Sequence, residues 1–499
     1  MPALVGIDLG TQSVKTVALD DQGCLRALAQ REYPIDTPKV GWAEQDPQTW
    51  WKAACETTQE ALAAAGVHPG DIQGVGLSGQ MHGTVCLDRE GHPVGPAIIW
   101  ADGRSAREVD ELVAELGRER LGELTANPLA AGFMAATVRW LARHKHDTLW
   151  HTSNLVLPKD YLRLRLTRQI ATDVTDAAST LLFDVANRRW SDAMVEAVGI
   201  ERDLLPRVVE SQEVAGTVTR RAAKDTGLPD GVPVVAGGGD QPVGAVGNGV
   251  TAPGAIVATL GTGGQLLTPL DEPAYDPELR THTFCHAVPG RWFTMGAILS
   301  AGLCLRWLRD QVFGGLGLGY DALSAAAAEV EPGAEGLLFL PYLLGERTPH
   351  MDARARGVFF GLALRHERRH LVRAVMEGVA LAMRDCLEVM RSFGVTSQRL
   401  LVAGGGAQSG VWRQMLADAL GSPLVSVSTR EPAACGAAVL AGVGTGLFPD
   451  AESVAGRLGG ITAATDPIDA NVERYNQLYE IYRGLYPSLK NAYRGLSEA

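Results

Sequence analysis

Ile7-Asp8-Leu9-Gly10-Thr11 near the amino end and Ala258-Thr259-Leu260-Gly261-Thr262 half a chain later read as one event twice: an apolar strand that runs into Leu-Gly-Thr and turns. The stretches that leave the turns, residues 14–19 and the apolar run after Gly264, read as strands again, and a turn at 20–23 opens a third strand in the first half. A short meander of this kind needs a second layer to cover one face. Its recurrence predicts a duplicated domain. Successive backbone N–H groups at so tight a turn form a nest for an anion, and the threonine hydroxyl adds a donor. Two such nests facing each other would grip the phosphates of a nucleotide from both sides, with Lys15 on the outgoing strand as the cation.

Two carboxylates stand out against this frame. Asp8 lies inside the apolar stretch 5–9, where a carboxylate opposes strand propensity and is costly if buried without a partner. Either the turn N–H groups satisfy it or it faces a hydrated cation. Asp240 follows an apolar strand at 232–235 and the glycines 237–239, which free the backbone and let a ligand come close. On such a turn it could take a proton, bind a metal or cap a helix. Mg²⁺ keeps several waters and uses one or two carboxylates beside phosphates, so Asp8 and Asp240 together would suffice. No His/Cys cluster has transition-metal spacing, and neither a P-loop nor a Rossmann glycine pattern occurs.

The totals narrow the field. At 499 residues the chain predicts two or more domains, and 46% apolar with 20% charged residues is the make-up of a soluble globular protein. A net charge of −12 argues against nucleic acid or an anionic membrane as partner. The seven cysteines are scattered, with no Cys-x-x-Cys, which suits reduced thiols in a cytoplasmic protein. No basic leader and no 18-residue apolar run is present, so the chain reads as neither secreted nor membrane-spanning.

Other strand ends carry polar groups, the places where α/β folds usually put ligands. A strand at 72–77 opens into SGQMHG at 78–83, and another, ending near Ile99, opens into Trp100-Ala101-Asp102-Gly103-Arg104. Gln80, His82, Asp102 and Arg104 offer the donors and acceptors a polyol requires. A strand at 400–402 runs into Gly404-Gly405-Gly406-Ala407-Gln408-Ser409, either a plain tight turn or a bare shelf for an adenine ring. Asp46-Pro47 opens a helix that Gly66 closes, the apolar stripe at 371–390 is a long core helix, and residues 433–444 form a small-residue helix able to pack closely on a neighbour. Residues 155–230 look mixed and carry no obvious chemistry.

With these residues assembled, the whole chain resembles the FGGY carbohydrate kinases of the actin/hexokinase/Hsp70 ATPase superfamily, and most of all their xylulose-phosphorylating members. GIDLGTQSVK at 6–15 and LGTGG at 260–264 are similar to the two phosphate loops, LVAGGGAQS at 401–409 with WRQMLAD at 412–418 to the adenosine segment, and EPAACGAAVLAG at 431–442 to the second connecting helix. SGQMHG, LPKDYL at 157–162, GGGDQ at 237–241 and PYLLGERTPH at 341–350 resemble the pieces on the sugar side.

The resemblance implies an α/β fold of two actin-like, ribonuclease H-like domains, 1–245 and 246–499, with a central cleft. It implies Asp240 as general base, Asp8 with Asp240 at Mg²⁺, and Met81, His82, Asp102, Asp240 and Gln241 against the sugar. Gly10, Thr11, Lys15, Gly261, Thr262, Gly405, Gly406 and Ser409 would surround ATP. The implied reaction is phosphorylation of D-xylulose at its 5-hydroxyl, with other ketoses or polyols such as ribulose and glycerol as the alternative and a non-catalytic actin-fold ATPase or sugar sensor as a remote one. It leaves room for a homodimer. Three places depart from the pattern: Ala101 and Gln241 where Asn is frequent, and Gly263 where Ser is frequent.

Overall fold

The computed structural model describes every residue except Gly315, Ser428, Gly459 and Ala499. Strands β1 (Ala3–Leu9), β2 (Ser13–Asp20) and β3 (Leu25–Glu32) form the expected antiparallel meander. Helix α1 (Pro47–Ala65) starts where the sequence says it should. The Asp46 side chain accepts from the N–H of Gln48, Pro47 occupies the first turn, and Gly66 closes the helix in the left-handed region at φ 60°. Strand β4 (Ile72–Gly79) then runs parallel to β1. Helices α2 (Pro158–Thr167) and α3 (Val174–Ser179) precede β5 (Val214–Thr217), β6 (Pro233–Val235) and the two-residue β7 (Gly238–Gly239). The sheet order is β5-β6-β4-β1-β2-β3, with β7 also paired to β4. Helix α4 (Asp240–Gly247) leaves β7 directly.

The second half repeats the plan. Strands β8 (Ala255–Leu260), β9 (Gly264–Leu270), β10 (His282–Cys285), β11 (Trp292–Ile298), β12 (Arg399–Ala403), β13 (Leu424–Val427) and β14 (Ile461–Thr465) take the order β10-β11-β9-β8-β12-β13-β14. β8 is antiparallel to β9 and parallel to β12, as β1 is antiparallel to β2 and parallel to β4. The far edges match too: β6 pairs antiparallel with β5, and β13 with β14. The two Leu-Gly-Thr turns therefore occupy equivalent places in two sheets of like topology. Helix α5 (Arg368–Ser392) and α6 (Gly410–Leu420) pack in the core of the second sheet, and α8 (Asp469–Glu498) closes the chain.

Helix α7 (Pro432–Gly444) crosses to the first sheet. Every residue of β1 is buried because both of its faces are covered. Val5, Ile7 and Leu9 face Trp50, Trp51 and Leu62 of α1, whereas Leu4 faces the alanines of α7. By the two-residue period of a strand, Gly6 and Asp8 share the α7 face. No side chain fits at Gly6: a Cβ there would lie 1.9 Å from the carbonyl oxygen of Ala434, and one at Gly76 of β4 would lie 1.8 Å from that of Ala437.

Overpacking at such a backbone contact costs on the order of 1–3 kcal/mol or more. Gly76→Ala should accordingly lower the urea midpoint of the protein sharply. Gly95→Ala, where an added Cβ meets nothing within 4 Å, should leave it unchanged. Equal midpoints for the two variants would mean that α7 is free to move off the sheet.

Candidate active site

The first carboxylate is held by the sheet. Across β2, β1, β4 and β7 the residues Lys15, Asp8, Ser78 and Gly238 stand in register. Asp8 is buried, and its Oδ1 has no hydrogen-bond partner. Burial pushes its pKa up to about 6, against the pull of Lys15 and of the Ser78 hydroxyl. The turn N–H groups do not satisfy it, which removes one of the two readings its sequence position allows.

The second carboxylate is the first residue of α4. Gly239, one step earlier, occupies the N-cap position with φ −61° and ψ 151° and offers no side chain to cap with. Asp240 is therefore neither a loop residue nor a cap; it sits in the first helical turn, where a negative charge is favoured. Burial and then the neighbouring charge of Asp8 raise its pKa to about 7, although Gln241 donates to it. Two carboxylates, one raising the pKa of the other and itself carrying a bare buried oxygen, form a hard-oxygen donor pair that suits Mg²⁺ with phosphates completing its shell. Among the described residues no cluster of three or more His, Cys, Asp or Glu side chains suits a metal.

The glycines before Asp240 serve the fold more than the ligand. Gly237 has φ +75°, and a Cβ on it would lie 2.0 Å from the carbonyl oxygen of Leu77. A Cβ on Gly239 would strike the Met81 side chain at 2.5 Å. Met81 is thus buried against the turn that precedes Asp240. Beside it, His82 takes a left-handed backbone (φ 71°) and stacks on Phe133 at 3.7 Å between ring centres. Its Nδ1 lies 2.8 Å from the carbonyl oxygen of Ser179. Burial, together with the charge of Arg347, drives its pKa to about 3, so the ring is neutral.

Asp102 is placed differently from the sequence expectation of a sugar contact. Its side chain is fully enclosed. One oxygen accepts from the N–H and Nε of Arg104 at 2.9 Å, the other from Arg104 at 2.7 Å and from the N–H of Ala43 at 2.6 Å. Four donors use all its acceptor positions, and Arg104 is likewise taken up by Asp102 and Glu44. The pair props the 100–104 loop, whose Trp100 donates to the Thr11 hydroxyl at 2.8 Å. Lys15 is also engaged: its ammonium lies 2.5 Å from Glu431, just before α7. In the first turn, the N–H of Gly10 is used by the carbonyl of Ser13.

The nucleotide-side residues of the second half do come together. Gly261, Thr262, Gly405, Gly406 and Ser409 line one cavity of about 760 Å³ with Trp412, Tyr320 and Arg306. Gly404, at φ +93°, is needed because β8 passes behind it, where a Cβ would lie 2.5 Å from the carbonyl of Leu260; Gly405 faces open space. The 404–409 turn is therefore tight and bare at once. Ser409 caps α6 by accepting from the N–H of Trp412. Gly10, Thr11 and Lys15 are not part of this lining.

Comparison with known proteins agrees with this geometry. The N-terminal domain of the FGGY family of carbohydrate kinases matches residues 3–247, and its C-terminal domain residues 256–445. The chain belongs to the FGGY family of carbohydrate kinases. It is 42% identical to the xylulose kinase of Escherichia coli over 84% of this chain and 85% of that one, and 37% identical to that of Lactococcus lactis over 97% of each. The crystal structure of a xyloylose kinase from Brucella ovis superposes with a TM-score of 0.92 at 36% identity, covering 98% of this chain and all of that one. The two sheets are thus the paired domains of an actin/hexokinase-like sugar kinase.

In this kinase the sequence reading passed over one set of groups in residues 155–230. Lys159 Nζ lies 2.7, 2.9 and 3.1 Å from Asp160, Asp173 and Asp176, and Arg163 pairs with Asp160 at 2.8 Å, all with no exposed side-chain surface. Three carboxyls face two cations. Burial, with Asp173 and Asp160 as like charges, keeps Asp176 well above the usual carboxylate range in spite of Lys159. The one available signal was LPKDYL itself, a buried-looking helix start carrying Lys and Asp side by side.

The raised values carry a sign. The pKa values of Asp8 and Asp240, about 6 and about 7, exceed the ordinary 3.8, so the folded protein holds these protons more tightly than the unfolded chain. The stability they confer is complete below about pH 4 and is lost as pH rises through about 7. Removing Asp240 as Asp240→Asn should therefore make the metal-free protein gain urea resistance relative to wild type between about pH 5 and about pH 8. Parallel pH curves for the two proteins would mean that Asp240 titrates normally.

Proposed function

We propose that this kinase transfers the γ-phosphoryl group of ATP to the 5-hydroxyl of D-xylulose, giving D-xylulose 5-phosphate, with Asp240 as general base. The observation that carries the reading is the pair of carboxylates, Asp240 at the head of α4 and Asp8 with its unpartnered oxygen, whose charge raises the pKa of Asp240. The xylulose kinases named above supply the sugar. The halves 1–245 and 246–499 would close over it, and the unpaired cysteines suit an enzyme of the cytosol. Among the described residues no helix is long and apolar enough to cross a membrane.

Phosphoryl transfer has a loose transition state, so the protein mainly positions the reactants and offsets charge. Asp240 would orient the sugar hydroxyl and accept its proton as the bond to phosphorus forms, an effect of roughly 10²–10⁴-fold. A pKa of about 7 places this base near the pH at which it works. His82, neutral, with Nδ1 donating to Ser179, would accept a sugar O–H at Nε2. Met81 excludes water from the base turn, and Gln241 steadies the carboxylate. Asp8 and Asp240 would hold Mg²⁺, which when bound neutralises phosphate charge. Gly261, Thr262, Gly405, Gly406 and Ser409 would border ATP in the second-half cavity. Gly10 and Thr11 would meet its phosphates on closure, and Lys15 could join them only by leaving Glu431.

An ADP-release assay over D-xylulose, D-ribulose and glycerol tests the sugar. Fast turnover on either of the last two with none on D-xylulose would overturn the assignment. Asp240→Asn should lose at least about 10²-fold in kcat while ADP binding, read by calorimetry, stays near wild type. A variant that keeps most of its turnover would remove Asp240 from the role of base.

A further inference from the structure

The buried cluster of residues 159–176 is more than a filler of the core, because its hydrogen bonds end on the site. Asp173 caps α3. One of its oxygens accepts from the N–H of Thr175 at 2.8 Å, from the Thr175 hydroxyl at 2.7 Å and from Ser211 at 2.9 Å, and the other faces Lys159 at 2.9 Å. The Thr175 hydroxyl has a single proton, and the carboxylate takes it. Its oxygen is then free only to accept, and it accepts from the N–H of Gly239 at 2.9 Å. Gly239 is the residue from which α4 and Asp240 start. On the other side of the same turn, Arg163 donates to the carbonyl of Ala236 at 3.2 Å.

One helical turn further on, α3 meets the sugar side. The N–H of His82 points to the Ser179 hydroxyl at 3.3 Å, and His82 Nδ1 lies 2.8 Å from the Ser179 carbonyl oxygen. A carbonyl can only accept, so Nδ1 carries the proton and Nε2 is left bare. Thr175 and Ser179 are four residues apart, and so lie one above the other on one face of the helix, about 6 Å apart.

We propose that α3, fixed through Asp173 to Lys159, is the gauge that sets the general base and the sugar-side histidine at a constant separation, with Thr175 as the positioning residue for Asp240 and Ser179 as that for His82. The proposal rests on the reading of Asp240 as base. Hydrogen bonds within a buried, charged network are stiff, since each group has lost the alternative of bonding to water. That stiffness is useful where a displacement of about 1 Å costs on the order of 10²-fold in rate.

Thr175→Val keeps the shape and removes the link, and Thr175→Ser keeps the link. The expected result is a fall in kcat of about 10- to 100-fold for the valine variant, with KM for ATP and ADP affinity unchanged, and a kcat within about threefold of wild type for the serine variant. Ser211→Ala removes another donor to the same Asp173 oxygen and keeps the main-chain bond by which the Ser211 carbonyl accepts from the N–H of Gly237 at 2.8 Å; it should change kcat less than about threefold. In the Asp240→Asn background, Thr175→Val should change the residual rate less than about twofold, because the link then positions nothing that reacts. A folded Thr175→Val enzyme with wild-type kcat beside an inactive Asp240→Asn overturns the gauge and leaves the base in place. Near wild-type turnover by Asp240→Asn overturns the base instead. Equal losses in Thr175→Val and Ser211→Ala, or in Thr175→Val with and without Asp240, would mark the network as merely structural and also overturn the proposal. Should the valine variant not fold, Thr175→Cys carries the same contrast against serine, because a thiol is a far weaker hydrogen-bond partner.

Discussion

The arrangement depends on one backbone-to-backbone contact. Helix α7, supplied by the second half of the chain, lies on β1 and β4 of the first sheet so closely that only glycine is tolerated at residues 6 and 76. The same helix meets α4 just as tightly: a Cβ on Gly436 would lie 2.0 Å from the carbonyl of Val243, and one on Gly247 would lie 1.9 Å from that of Pro432. Asp8 is two residues from Gly6, and Asp240 heads the helix that Gly247 ends. One small-residue helix thus fixes the backbones that carry both carboxylates. Close packing of this kind resists compression. It leaves little freedom for β1 and α4 to relieve the repulsion between the two charges by drifting apart.

That repulsion gives the site its electrostatic character. Neither carboxylate is compensated by an ion pair of its own, since Lys15 is drawn to Glu431. Several other buried charges in this protein are matched. Asp102 has Arg104, Asp173 has Lys159, and Glu377 accepts from Arg373 and Tyr475. Asp8 and Asp240 lack such a partner, as do Glu346 and Asp385 in the second half, and uncompensated carboxyls of this kind mark candidate sites. On the proposed function the site receives phosphates and a cation, and compensation would arrive with the ligand.

The fold was largely legible in the sequence because its signals are local. The meander rests on alternation and turn residues, α1 on Asp46, Pro47 and Gly66, and the duplication on two Leu-Gly-Thr turns that the sheets place equivalently. Asp8 was legible for a different reason: a carboxylate in a buried strand violates local propensity, and such violations mark sites. What stayed hidden depends on distant partners. Asp102 sits at a strand end like a ligand group, but Arg104 and Ala43 use its oxygens, and Ala43 is nearly sixty residues away. The glycines at 237 and 239 look like room for substrate, yet they are spaces filled by Leu77 and Met81. Lys159, Asp173 and Thr175 carry no motif as a set, because their relation exists only once α2, α3 and β7 have packed together.

The division of labour between the halves follows from these constraints. The cavity lined by Gly261, Gly405 and Ser409 belongs wholly to the second sheet and its helices, whereas the carboxylates, Met81 and His82 belong to the first. If both sets were rigidly joined, the gap between the cavity and the carboxylates would be fixed whether or not a ligand was bound. If the halves were merely tethered, β1 and α4 would lose the helix that holds them together. Helix α7 resolves this conflict by belonging to the second half in sequence and to the first in packing. On the proposed function, closure would bend the chain on either side of α7 without disturbing the geometry of Asp8 and Asp240, which is the geometry that the proposed phosphoryl transfer needs.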